Sequence, residues 1–179
     1  MDFLPSLSEF SEKLKKNKNQ IVYTKFSADL DTPVSLMMKL AKEEKNSFLL
    51  ESVTGGEIKG RYSVIGMKPD LIWKCNLEES EINRKVLEKS NNFIKQSNPP
   101  VSELKSLIKE SYLQIPDNLP AMSAGLFGYL SYEMINFVKK ISEIKKNDLN
   151  SPQSILFRPS IIIIIDNVKG EIIAINPIW

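Results

Sequence analysis

The stretch "RPSIIIIIDNVKGEIIAINPIW", residues 158–179, decides the fold class. Five consecutive isoleucines, Ile161 to Ile165, form a strand former of high β-branched content. A polar loop closing at Gly170 follows, and "EIIAI" (171–175) returns, so the whole predicts an antiparallel hairpin. An uninterrupted isoleucine run has no polar face, which predicts burial on both sides. The chain then stops on Pro177-Ile178-Trp179, still apolar, where termini usually trail into polar residues. The expectation is a chain that is a piece of something longer.

Working back from the hairpin, residues 47 to about 88 carry further strand signals. "SFLLES" (47–52), "GRYSVIG" (60–66) and "DLIWKCN" (70–76) predict a meander, with a turn at 54–57 and a break at Lys68-Pro69. "IVYTKFS" (21–27) predicts another strand. Helices fill the gaps. Ser6 caps a short surface helix with Leu7, Phe10 and Leu14 on one face. Thr32 caps the next, Pro33 occupies its first position, and Val34, Met37, Met38 and Ala41 make its buried stripe. A third helix runs from Ser102 to Tyr112, with Leu104, Leu107, Ile108 and Ser111 at helical spacing and Pro116 ending it. In "SAGLFGYLSYEMINFV" (123–138) the glycines permit close backbone approach or a bulge before a turn towards helix. Residues 139–154 are polar and predict a loop. The sum is an α+β fold, largely antiparallel sheet with three or four flanking helices.

Bulk properties narrow the function. At 179 residues, 42% hydrophobic and 26% charged, the chain can bury one ordinary core, so a single domain over 1–179 is expected. A net charge of +2 without arginine-rich, aromatic-interleaved stretches argues against nucleic acid, and the lysine runs read as solvated faces. The longest apolar run is far below the ~20 residues of a membrane helix. One cysteine, Cys75, forms no internal disulfide; it reads as a packed thiol and points to a reducing cytoplasm. Histidine is absent, which removes the commonest general base and transition-metal ligand, so any enzyme chemistry is expected elsewhere.

Three stretches could carry a site. Glu51-Ser52, ending an apolar strand, offers a carboxylate for a ligand ammonium and a hydroxyl for its carboxylate; a solvated strand end is the plain alternative, and spacing alone favours it. "GGEIKGRYSVIG" (55–66) matches neither phosphate-binding glycine pattern, so its glycines read as turn residues. Within it, Arg61 could pair with Glu51, with an anionic ligand, or in a structural ion pair. Phe127, Tyr129 and Tyr132 in "GLFGYLSYE" read as core.

"FLLESVTGGEIKGRYSVIG" (48–66), with "DLDTPVSLMMKL" (29–40) upstream and "AGLFGYLSYE" (124–133) downstream, closely resembles the N-terminal region of anthranilate synthase component I. Aminodeoxychorismate synthase component I, of folate synthesis, shares parts of the pattern, and a free-standing amino-acid-binding module is the rival from another class. The resemblance implies the N-terminal part of a larger α+β enzyme, with a C-terminal chorismate-binding domain that holds Mg²⁺ and the catalytic groups and lies outside this sequence. The parent would convert chorismate and ammonia, delivered from glutamine by an amidotransferase subunit, to anthranilate and pyruvate. This part alone would be inactive. The Leu-Leu-Glu-Ser element would form part of an inhibitory L-tryptophan site. Glu51 would lie near the ligand ammonium, Ser52 would make a close polar contact, and Leu50 would lie beside the indole. Lys59, Arg61 and Tyr62 would serve as wall residues.

Overall fold

The computed structural model describes residues 2–16, 18–51, 60–76, 79–137, 139 and 151–179. In chain order the elements are α1 (Leu7–Lys15), β1 (Gln20–Ser27), α2 (Pro33–Ala41), β2 (Phe48–Leu50), β3 (Tyr62–Cys75), β4 (Ser80–Asn83), β5 (Ile94–Lys95) and α3 (Pro100–Glu110). A 3₁₀ turn (Ala121–Ser123), β6 (Phe127–Leu130), a 3₁₀ segment (Tyr132–Phe137), β7 (Ser154–Asp166) and β8 (Glu171–Ile178) complete them. Strand pairing is antiparallel in every registered pair, which is the expected α+β class. The chain divides into two compact units. One comprises Met1–Pro69, Leu113–Gly125 and Pro159–Trp179; the other comprises Asp70–Tyr112 and Leu126–Arg158.

In the first unit the strand order is β1-β8-β7-β3, with β2 also on β3. The isoleucine hairpin forms as expected: Ile162 opposes Ile175, Asp166 opposes Glu171, and Gly170 takes the left-handed turn conformation at φ 63°. Ile163 and Ile165 join Ile65 and Met67 of β3, Ile172 of β8, and Leu36 and Ala41 of α2 in one core. Ile162, Ile164, Ile173 and Ile175 are buried as well. By pleat alternation they take the opposite face, so the isoleucine strand is covered on both sides.

Helix α2 starts as its sequence requires: Thr32 Oγ1 accepts from the Ser35 N–H (3.1 Å) and Pro33 opens the helix. Its buried face differs from the expected stripe. Leu36 and Ala41 are buried with Met37 packed beside them, while Val34 and Met38 are exposed. Six of its nine residues besides the lysine, serine and proline are apolar and point nearly all round, so periodicity could not select the face. Ser6 caps α1 in a capping box with Glu9, and α1 buries no residue.

The break expected at Lys68-Pro69 is not there. β3 runs unbroken from Tyr62 to Cys75, with Lys68 at φ 50° bending the strand and its carbonyl accepting from Ser160 Oγ (2.6 Å). A side-chain donor on the neighbouring strand keeps the kinked backbone satisfied, so the pair acts as a bend.

The second unit pairs β3 with β4 and β4 with β5, and places β6 on β7. Leu71, Trp73, Cys75, Ile82, Leu107 and Leu156 form its core. Cys75 is buried, the packed thiol expected, and burial pushes the thiol up to about 11. Helix α3 ends at Glu110, short of Tyr112: the Ser111 N–H still reaches the Leu107 carbonyl (2.9 Å), but the Tyr112 N–H bonds only three residues back, to the Lys109 carbonyl (3.3 Å), which closes the last turn; Ile108 is exposed rather than packed. The tyrosines expected in the core also lie outside it: Tyr129 is 45% and Tyr132 73% exposed. β6 shows three exposed residues in a row, and Tyr129 spends its hydroxyl on the Pro152 carbonyl (2.6 Å), which leaves the ring at the surface. Gly128 makes the close approach its neighbourhood predicted. A methyl there would overlap the backbone carbonyl of Ile155.

Arg158 is 8% exposed and grips Asp70 through Nε–Oδ1 (2.9 Å) and Nη2–Oδ2 (2.6 Å), while its Nη1 reaches Glu110 (3.4 Å). Arg84 pairs with the same Glu110 and holds its carboxyl below the usual range.

Candidate functional site

The two strands that frame the candidate site belong to the first unit. β2 is three residues long and is set in register by Phe48 opposite Gly66, Leu49 opposite Ile65 and Leu50 opposite Val64. The Phe48 ring lies directly over Gly66, where any side chain would collide with it. Large ring over bare backbone is a shape match that fixes β2 against slippage. Leu50 is 50% exposed at the end of β2 and Glu51, the next residue, is exposed. Ser52 and Lys59 lie outside the described residues.

Arg61 and Tyr62 open the opposing strand. Arg61 binds Asp166 through Nε–Oδ1 (3.0 Å) and Nη2–Oδ2 (2.7 Å), and its guanidinium carbon stands 4.9 Å from the centroid of the Tyr62 ring. Of the readings open for Arg61, the structure therefore supplies an ion pair with a residue that sequence reasoning did not single out. The only local signal was an aspartate entering a turn that closes on glycine. Burial alone would push the Asp166 carboxyl up. The Arg61 donors and the N–H groups of Lys169 and Val168 outweigh it and hold the carboxyl below its usual value.

Tyr62 also borders a cleft of about 210 Å³ whose walls include Lys25, Asn118, Asp166, Lys169 and Ile173. Leu50 and Glu51 do not border it. The structure thus brings Arg61 and Tyr62 together, and places Leu50 with Glu51 at the exposed end of the adjacent strand. A larger cavity of about 620 Å³ lies between α1, β1 and residues 114–117, and none of Leu50, Glu51, Arg61 and Tyr62 lines it. Among the described residues, no group of three or more Cys, Asp or Glu side chains is placed to hold a metal ion. No helix of the described residues is long and apolar enough to cross a membrane.

A mostly antiparallel sheet with short flanking helices is the architecture of a known class. The chain is similar in fold to the crystal structure of anthranilate synthase component I from Streptococcus pneumoniae TIGR4, with a TM-score of 0.51 and 20% identity, over 84% of this chain and 29% of that one. No family model matches the chain.

Sequence relatives make the relationship specific. Anthranilate synthase component 1 of Cereibacter sphaeroides is 48% identical over 176 residues, 98% of this chain and 35% of that protein. The proteins of the same name from Synechocystis (33% over 175 residues, 96% of this chain and 33% of that protein) and Aquifex aeolicus (30% over 168 residues, 93% and 33%) match it as well. The chain is a homologue of the N-terminal part of anthranilate synthase component 1, and it spans about a third of the length of these relatives.

Proposed function

We propose that this chain is the N-terminal, tryptophan-sensing part of an anthranilate synthase component 1. The observation that carries the proposal is the 48% identity that extends over 98% of the chain. On this reading the whole protein converts chorismate and ammonia to anthranilate and pyruvate, with the ammonia released from glutamine by an amidotransferase subunit, in the cytoplasm. Mg²⁺ and the catalytic groups belong to a C-terminal chorismate-binding domain, and no step of this chain runs through the ion.

This chain contributes one side of a regulatory pocket. Glu51 offers a carboxylate to the ligand ammonium, Ser52 a hydroxyl, Leu50 an apolar surface for the indole, and Lys59, Arg61 and Tyr62 a second wall. Two features support it: the exposed strand end at Leu50 and Glu51, and the guanidinium already fixed beside the Tyr62 ring. A ligand held between this chain and a second domain inhibits only if it binds one arrangement of the two more tightly than the other.

The test joins this chain to the C-terminal two thirds of the Cereibacter sphaeroides relative, in place of that protein's own N-terminal part. Anthranilate formation from chorismate and ammonium is followed by fluorescence while L-tryptophan is titrated. Turnover that tryptophan suppresses supports the proposal. Turnover indifferent to tryptophan removes the sensing role, and no turnover, with the relative itself active, removes the family function.

A further inference from the structure

Residues 60–63 begin the second wall of the candidate site, and they are held from a point more than 100 residues away. The Asp166 carboxylate, 3% exposed, takes donors from three residues: the Arg61 guanidinium, and the N–H groups of Val168 and Lys169, each 3.1 Å from Oδ1. Asn167 completes the grip. Its N–H donates to the Arg61 carbonyl (2.8 Å), and its Nδ2 donates to the Gly60 carbonyl and to Ser63 Oγ (both 3.3 Å). Among the described residues, both side-chain bonds of Asn167 end on residues 60–63.

The anchor is itself fixed. Asp166 closes the β7–β8 ladder opposite Glu171, and the Gly170 N–H returns to the Asp166 carbonyl at 2.9 Å. With its side chain on the N–H groups of the two following turn residues, Asp166 makes the turn rigid; with the same carboxylate on Arg61, it passes that rigidity to β3. An arginine left free keeps rotamer entropy that ligand binding would have to overcome. Here the guanidinium is ordered over the Tyr62 ring before any ligand arrives.

We propose that Asp166 and Asn167 are positioning residues of the tryptophan site: they fix Gly60 to Ser63 so that the Arg61–Tyr62 wall is preformed. The inference rests on the reading that tryptophan meets this wall. Neither residue need touch the ligand. A buried ion pair is by itself weak evidence of a stability role, since an apolar pair of similar shape would serve as well. Orientation is the role the contacts favour, because Arg61 on the Asp166 carboxylate and the Asn167 donors on Gly60, Arg61 and Ser63 fix one four-residue segment to the turn.

The test uses the same joined protein and two variants. Asp166→Asn keeps an acceptor for the turn N–H groups but removes the charge that holds Arg61; Asn167→Ala removes the amide grip at an exposed position. Each is expected to raise the half-inhibiting tryptophan concentration on the order of tenfold. The turnover number and the KM for chorismate should stay at the unsubstituted values. Inhibition at the unsubstituted concentration in Asp166→Asn and Asn167→Ala overturns the positioning role while leaving tryptophan sensing intact. Loss of turnover in step with thermal stability also overturns it, as a merely structural effect. If the unsubstituted protein ignores tryptophan, the reading beneath the inference fails first. Should Asp166→Asn fail to fold, Asn167→Ala decides alone.

Discussion

Gly66 and Phe48 offer a direct measure of what holds β2, and with it Leu50 and Glu51, in register. Replacing Gly66 with alanine puts a methyl group into the Phe48 ring, and the ring must swing off the sheet. Overpacking of this kind costs about 1–3 kcal/mol. Alanine in a strand interior gains roughly 0.5–1 kcal/mol over glycine through backbone entropy, so the net loss is at most about 2.5 kcal/mol. For a chain of this size that lowers Tm by up to about 10 °C. Removing the ring first reverses the sign: in a Phe48→Ala background, Gly66→Ala should be neutral or stabilising. The coupling read from the four proteins by urea denaturation should therefore be about 1–3 kcal/mol. Amide exchange at Leu49 and Leu50 should quicken in Gly66→Ala alone. An equal cost of Gly66→Ala in both backgrounds refutes the argument, because the ring would then have no part in it.

Other expectations follow from the same contacts. Gly128→Ala meets a backbone carbonyl that cannot swing away, at a φ of 153° that strains any side chain, and should cost more than Gly66→Ala by urea denaturation. Arg158→Met leaves the carboxylates of Asp70 and Glu110 without their shared cation; since Asp70 is partly solvated, a loss of about 2–3 kcal/mol is expected in the same assay, below the full cost of breaking a buried pair. Acid should destabilise the protein in part through Glu110 and Asp166. Hydrogen bonding from Arg84 lowers Glu110; at Asp166 burial works the other way but is outweighed by Arg61 and the turn N–H groups. Both folded values lie below the unfolded ones, so their contribution is whole above about pH 4.5 and is lost as pH falls through the folded values. Tm measured from pH 7 to pH 2 should drop in that acid range, and less steeply in Asp166→Asn.

What the sequence disclosed was local. A β-branched run with a glycine-closed loop can hardly be anything but a hairpin, and Thr32-Pro33 specifies a helix start by itself, so both were legible. Which side of α2 faces the core was not, because apolar residues surround it and only the sheet beneath chooses. Lys68-Pro69 looked like a terminator because proline removes a ladder donor; a serine on β7 satisfies the bend, and nothing near position 68 announces it. The exposed tyrosines failed for the same reason, since strand composition does not tell an exposed strand from a covered one. At the candidate site, Arg61 stood out as an isolated guanidinium, but its partner lies 105 residues on, beyond any periodic signal. Glu51 and Ser52 drew notice as a charge and a hydroxyl closing an apolar strand. Their roles came from resemblance, which spacing alone could not supply.

The claim that this chain senses tryptophan is tested most directly at Ser52. Phenylalanine at that position, in the protein joined to the C-terminal part of the Cereibacter sphaeroides relative, should replace the hydroxyl proposed for the ligand with a ring that fills the pocket. Anthranilate formation should then proceed at the unsubstituted rate, and tryptophan that silences the parent should leave it running. Suppression of Ser52→Phe at the same tryptophan concentration as the parent would contradict the account.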